Sequence, residues 1–426
     1  MRSTTLVDRA TAASPIAQPA IAEDLSRRAD LIVVGAGAMG GWTAYWAQAG
    51  GGRRVTLLDA WGAGHPRATS GDETRISRAA HGDDALYTRW SRRALQHWRR
   101  FEEEWDVDLF ARCGVLWFGH EEDGFEARSA RVLEAERIPH EWLTPDELVR
   151  RWPQVAEDPE LHSCLYEPEG GVLFAGRACA SVARAFQREG GRLAIRGVRP
   201  GRGAGGRLLE VVDAGGRAWS GDQFVFACGP WLPKLFPELL GDLVRVTKQD
   251  VLFMGPPAGD RRFHTDSLPA WCDYDNAYWG IGATETNGVK IAPDRFGPVF
   301  DPSNGERAVD PESIRLARSY LRQRFPELAD APVVGTRVCQ YETTPDAHFI
   351  IAPHPDYENV WLLGGGSGHG FKHGPRIGEY LLARLNGAAE GEQDGSDERR
   401  FRLGPRLPGE SARTGGDSMA QSWELF

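Results

Sequence analysis

The chain is short of lysine. Of its 50 basic residues only four are lysines, Lys234, Lys248, Lys290 and Lys372, against 46 arginines, and no stretch gathers them into a basic block. With a formal net charge of -10, the footprint that neutralises nucleic-acid phosphates or an anionic membrane is missing. Cysteine is sparse too. The six thiols, at positions 113, 164, 179, 228, 272 and 339, include no Cys-x-x-Cys pair and no Cys/His cluster at zinc-finger spacing. That excludes a zinc finger or ribbon and favours reduced thiols over a disulfide framework. No window approaches the roughly 18 uninterrupted apolar residues of a membrane helix. Arg27 and Arg28 precede an apolar run in the manner of a twin-arginine leader, but that run is "DLIVVGAGAMGG", whose glycines have another explanation. The expectation is a cytoplasmic protein with a mobile leader, residues 1–29, and with neither a nucleic-acid nor a membrane partner.

What is present is an ordinary globular composition, 41% hydrophobic and 26% charged, in 426 residues, enough for one or two domains. Residues 30 to 35 form a short valine- and isoleucine-rich run. "GAGAMGG" then opens a stretch of helical spacing to Gly50, and "RVTLLD" ends a second strand at Asp59. In this βαβ unit Gly35, Gly37 and Gly40 stand in G-x-G-x-x-G register. The first glycine permits the turn, the second lets a pyrophosphate approach the backbone, and the third lets helix and strand pack closely. The helix N-terminus faces the phosphates, and Asp59 stands where an acid accepts from ribose hydroxyls.

Residues 84 to 105 place Leu86, Trp90, Ala94, Leu95, Trp98, Phe101 and Trp105 mostly three to four apart. This is an amphipathic helix whose tryptophans read first as core. Strands are expected at 114–119, 207–212, 222–229, 348–353 and 359–366, and helices at 310–325, capped by Asp310, and 376–385. Some strands lead to helices and others directly to strands. The predicted fold is therefore a mixed α/β (α+β) one, a Rossmann-like nucleotide domain interleaved with an antiparallel sheet. Residues 387–399 are polar and acidic and read as a linker; "RFRL", 400–403, is expected to dock again.

In so arginine-biased a chain, a lysine within a motif suggests that a compact ammonium is needed there. Lys372 ends "GGGSGHGFK", and Lys290 follows the strand and turn "YWGIGATETNGV". Together "VVGAGAMG", "DETRISR" (72–78), "GGVLFAGR" (170–177), "FVFACGPW" (224–231), "NGVK" (287–290), "VCQYETTPDAHFII" (338–351) and "GSGHGFKHG" (366–374) resemble the monomeric sarcosine oxidase family of flavoproteins, within the D-amino-acid-oxidase fold group. The resemblance runs in order from about residue 30 to 404.

The resemblance implies FAD, bonded through the sulfur of Cys339 to its 8α-methyl carbon, a link that makes the flavin a stronger oxidant; the alternative is a free thiol beside a noncovalent flavin. It implies a discontinuous FAD domain (30–110, 172–245 and 342–404), a substrate domain (111–171 and 246–341) and a mobile tail (405–426). Arg78 and Lys372 match a pair that holds the substrate carboxylate. Lys290 matches a lysine that promotes reaction with O2, and Arg75 a cation beside the flavin; a structural salt bridge from Arg75 to Asp72 or Glu73 is the other reading. Ser70, Val198 and the loop with Gly366, Gly368, His369 and Gly370 fall at the cofactor, and Trp279 and Tyr341 in the pocket. The implied activity is oxidation of a carboxylate-bearing amine by a monomer, with O2 giving H2O2.

Two positions depart from the family. Asp294 stands where sarcosine-oxidising members have a histidine, and Trp279 where they have a tyrosine. Both put sarcosine itself in doubt, although Asp294 could instead pair with Arg295 at the surface. A nicotinamide-dependent dehydrogenase, a flavin amine dehydrogenase with another acceptor and a non-catalytic flavin-binding protein remain as alternatives. His369 and His373 suggest a metal, but no third ligand lies nearby in sequence, and none is expected.

Overall fold

The structure, a computed structural model, describes residues 28–388 and 398–406. The expected leader up to residue 27, most of the expected linker and the expected tail beyond residue 406 lie outside the described residues.

The run Ala29–Val34 is the centre of a parallel sheet, and its residues are buried almost throughout, as a strand covered on both faces must be. It lies between Val55–Asp59 and Ala218–Phe226, parallel to both. Arg192–Ile195 continues the sheet beyond the first, and Val360–Gly364 beyond the second. Ile350–Pro353 closes that edge antiparallel. One face is covered by helices Ala38–Ala49, Ala85–Trp105, Ala175–Arg188 and Gly374–Leu385, around an aromatic core that includes Trp42, Trp90, Trp98 and Phe101. The tryptophans of the long helix are thus core, as its spacing implies. Asp84 caps that helix by accepting from the Tyr87 amide.

Several expected strands differ in extent: 348–353 begins at Ile350 and 359–366 ends at Gly364, and two others differ for reasons of their own. The run 207–212 is split into Arg207–Leu208 and Glu210–Asp213, because the Asn359 amide takes both the N–H and the C=O of Leu208 and interrupts the ladder. The run 222–229 stops at Phe226, where Gly229, at φ 52°, turns the chain into the helical turn Gly229–Trp231.

A second eight-stranded sheet runs in the order Val333–Thr343, Arg245–Met254, Val289–Pro293, Tyr278–Ile281, Ala270–Asp273, Val115–Gly119, Ser163–Glu167, Glu141–Leu143. Only the pairing of Ala270–Asp273 with Val115–Gly119 is parallel. One face carries Leu252, Met254, Ile291, Val289, Tyr278 and Trp271, which pack under helix Pro311–Arg324. Side chains alternate along a strand, so Gln249, Val251, Trp279, Ala292, Cys339 and Tyr341 point the other way, into a cleft between the two sheets. A small sheet of Thr74–Ser77, Gly171–Phe174 and Phe110–Ala111 closes one side. After the linker Phe401 is buried against the aromatic core. No described helix is long and apolar enough to cross a membrane.

Candidate active site

The cleft encloses about 620 Å³, within the range of cofactor pockets. It opens where the parallel strands end, at Gly35, Asp59, Ala227 and Gly366, the place where open α/β sheets bind ligands. Its floor is the cleft-facing side of the antiparallel sheet.

The glycine loop shows what each glycine does. Gly35 has φ +106°, and a Cβ there would lie 2.2 Å from the Ala227 carbonyl oxygen. A Cβ on Gly40 would lie 2.0 Å from the Gly35 oxygen, so Gly40 serves helix-to-strand packing and does not line the cleft. A Cβ on Gly37 would meet only Ser70 Oγ, at 3.1 Å, and both residues line the cleft. Helix Ala38–Ala49 begins there with no side-chain cap and no acid in its first turn, so its leading amides and positive dipole end face the cavity. Such an arrangement can cradle a pyrophosphate. The Asp59 carboxylate accepts from the amides of Ala36 (2.7 Å), Trp61 (2.8 Å) and Gly62 (2.7 Å). It stiffens the loop while it lines the cleft, as do Val198 and the contacting rings of Trp61 and Trp231. These residues fit a dinucleotide such as FAD.

At the other end stand the charged groups. Asp72 is buried and gathers three cations: Arg75 at 2.7 Å, Lys290, and Arg337 at 3.6 Å. Burial works against its charge, but these neighbours hold its pKa far below the usual carboxylate range. Lys290 is 1% exposed and also donates to the Thr74 carbonyl at 2.9 Å. It shares the face of Ala292 and Asp294 by strand alternation but sits deeper, behind Asp72, and does not line the cleft, whereas Asp294 does. Burial lowers the Lys290 pKa, and Asp72 partly offsets this. Arg75 pairs with Asp72, as its structural reading has it, and it also lines the cleft, 3.6 Å from the Cys339 sulfur. Cys339, opposite Gln249 in the ladder, and Tyr341 line the cleft together with Trp279.

Arg78 and Lys372 are brought together from the two ends of the fold, 7% and 3% exposed. Arg78 donates to the Ala80 carbonyl and, at 3.0 Å, to Tyr274 Oη. Its guanidinium lies 5.0 Å from the Trp117 ring centroid. Lys372 Nζ donates to the His369 carbonyl at 3.0 Å. Burial, then the nearby Arg78, pushes the Lys372 pKa well below its ordinary value. Among the described residues neither cation forms an ion pair, and both line the cleft. Gly366, Gly368, His369 and Gly370 complete this wall.

Several residues here escaped sequence reasoning. Tyr274 carries no motif and arrives through strand pairing. Glu342 follows Cys339 and Tyr341, lines the cleft with Oε2 lacking a partner among the described residues, and is pushed up by burial to about 7. No third ligand lies near His369 and His373 in sequence, but the fold brings distant His81 against both, and one ring nitrogen from each lies within 4.8 Å of the others.

Comparison with known proteins agrees with this architecture. The profile of a family described as FAD dependent oxidoreductase matches residues 30–384. Monomeric sarcosine oxidase of Bacillus sp. (strain B-0618) is 29% identical over 362 residues, covering 84% of this chain and 92% of its own. N-methyl-L-tryptophan oxidase of Yersinia pestis (strain Pestoides F) is 27% identical over 365 residues, 82% of this chain and 93% of its own. Among solved structures, fructosamine oxidase (Amadoriase II) from Aspergillus fumigatus superposes with a TM-score of 0.77 at 19% identity, over 92% of this chain and 94% of that one. The matching profile, the glycine cradle at the strand ends and the shared fold lead to one conclusion: the chain belongs to the FAD-dependent oxidoreductase family.

Proposed function

We propose that the protein is an FAD-dependent oxidase of a carboxylate-bearing amine: an N-methyl amino acid, a cyclic imino acid or a specialised amino acid. The observation that carries this reading is the pair of buried basic groups, Arg78 and Lys372, facing a dinucleotide cleft with no ion-pair partner among the described residues; buried Glu167 acts on both electrostatically, but it accepts from the Ala79 amide and the Trp117 indole and pairs with neither. Two such charges are costly, and a substrate carboxylate offsets that cost. Arg78 offers the fork of the guanidinium and Lys372 a point charge. Tyr274 holds the Arg78 fork from behind, and Trp279 and Tyr341 supply an apolar wall that excludes water. Asp294 adds an acceptor at the far wall, suited to a substrate with an extra donor or cation.

Bound FAD supplies the electron chemistry, taking two electrons from the C–H bond beside the amine and yielding them to an acceptor. For this chain's residues the reading assigns Gly35, Gly37, Asp59, Ser70 and Val198 to the nucleotide, Arg75 and the loop Gly366–Gly370 to the flavin end, and Cys339 to a covalent link. Lys290 acts on oxygen reduction through the charge it shares with Asp72. The FAD domain comprises 30–110, 172–245 and 342–404, the substrate domain 111–171 and 246–341, and the protein works as a monomer. A second reading, a dehydrogenase with another acceptor, has one observation in its favour: Lys290 is enclosed behind Asp72 and not open to the cleft.

The experiment is an anaerobic screen of the purified protein, read at the flavin band, against N-methyl, cyclic and branched amino acids, followed by admission of air. Bleaching by at least one acid, with rapid recovery and stoichiometric H2O2, is the expected outcome. Bleaching without recovery in air selects the dehydrogenase, and no bleaching by any amine ends both readings. In the same sample, acid denaturation is expected to leave the yellow chromophore on the polypeptide of the wild type and to release it from Cys339→Ala. Release from the wild type would refute the covalent link.

A further inference from the structure

Behind the Arg78 and Lys372 pair, three imidazoles meet in the interior. His81 follows the strand Thr74–Ser77, while His369 and His373 bracket the turn that leads into helix Gly374–Leu385. They are 1%, 6% and 0% exposed. Their ring centroids are 5.4 to 6.1 Å apart.

The protons on two of these rings are fixed by their surroundings. His81 Nδ1 lies 2.8 Å from the Ala79 carbonyl oxygen, and His369 Nε2 lies 3.0 Å from that of Ala347. A carbonyl only accepts, so both of those nitrogens carry the hydrogen. In a neutral ring the opposite nitrogen is then a lone pair. Those opposite nitrogens, His81 Nε2 and His369 Nδ1, have no partner among the described residues, and neither nitrogen of His373 has one.

We propose that His81, His369 and His373 form a binding site for one transition-metal ion of the zinc or copper class. Neutral imidazole is the preferred nitrogen ligand of these ions, and three of them make a recurrent donor set. The outer N–H groups of His81 and His369 are anchored on backbone carbonyls, the arrangement that orients metal-bound histidines and fixes their tautomer. Buried acceptors without a donor are destabilising, and an ion relieves several of them together. One ring nitrogen of each histidine lies within 4.8 Å of the others, and nitrogens at about 2.0–2.1 Å from one ion stand a little over 3 Å apart, so binding draws the rings closer together. The entry path is through the cleft, whose wall includes His369. Arg78 and Lys372 oppose a second positive charge here.

The test uses the holoenzyme after dialysis against chelator. Zinc is titrated calorimetrically into wild type and His373→Phe, a change that removes two unpartnered buried nitrogens and keeps an aromatic ring in an aromatic surround. The expected result is one equivalent per wild-type chain and an affinity weaker by roughly a hundredfold or more in the variant, at or beyond the upper end of what losing an outer-shell partner alone costs. Thermal unfolding should show a zinc-dependent rise for the wild type only. Copper(II) bound to the wild type should show hyperfine coupling to three nitrogens in its electron paramagnetic resonance spectrum. Less than one equivalent in the wild type, equal affinity in His373→Phe, or a copper spectrum without imidazole coupling would each overturn the proposal and leave the cluster to a buried water.

Discussion

Single residues divide by how local their signal is. Gly35, Gly37 and Cys339 are visible in sequence because their neighbours within a few positions carry the pattern. Tyr274, Asp72 as the hub of three cations, Glu342 and His81 are not, because what defines each is a partner brought in by a distant strand or turn. Lys290 lies between the two cases. Its residue type stood out in a chain almost without lysine, but its burial behind Asp72 is a matter of three-dimensional packing. Glu342 gives the residue scale a measurable property. Burial raises its folded pKa from an ordinary 4.5 to about 7, so the stability tied to its protonated form is fully present below pH 4.5 and is lost as pH rises through 7. Glu342→Gln cannot ionise. Between pH 4.5 and pH 8 the wild type is therefore expected to lose up to about 3 kcal/mol relative to that variant, measured by denaturant unfolding of both proteins at the two pH values. Parallel changes in the two would show that Glu342 does not titrate in this range.

At the scale of elements, the βαβ unit, the long aromatic helix and the capped helix Pro311–Arg324 were legible from periodicity and punctuation. Strand ends were not, since they depend on partners and turns: Asn359 splits one run, and the chain turns at Gly229 just after another stops. The glycine loop allows two of its jobs to be separated. Gly40→Ala puts a methyl group against the Gly35 carbonyl and the Ala227 side chain, and such overpacking costs about 1–3 kcal/mol or more; it should lower the melting temperature with or without added FAD. Gly37 has an extended backbone, φ -73° and ψ -172°, that alanine adopts freely. Gly37→Ala should therefore leave the stability of FAD-free protein nearly unchanged while weakening FAD, as measured by fluorescence titration. If both variants lose stability equally in the FAD-free protein, the division between packing and ligand roles fails.

For the whole molecule, sequence order suggested a nucleotide-binding sheet interleaved with an antiparallel one, and the structure has both. The cleft that results could not be read in advance, because its floor is the alternate face of strands whose register depends on long-range pairing. Cys339 faces the cleft because it stands opposite Gln249, and Lys372 meets Arg78 only after nearly the whole chain has folded. The central proposal is that these two buried basic groups, with no ion-pair partner among the described residues, select a carboxylate-bearing amine. The most direct measurement is anaerobic stopped-flow reduction of wild type and Arg78→Ala by the best acid substrate and by its decarboxylated amine. Losing a charge-assisted hydrogen bond worth about 1.5–3 kcal/mol should slow the acid roughly 10- to 150-fold at low concentration and leave the amine almost unchanged, so that the preference for the acid collapses in the variant. Equal reactivity of the acid and the amine in the wild type, or equal slowing of both in Arg78→Ala, would contradict the account.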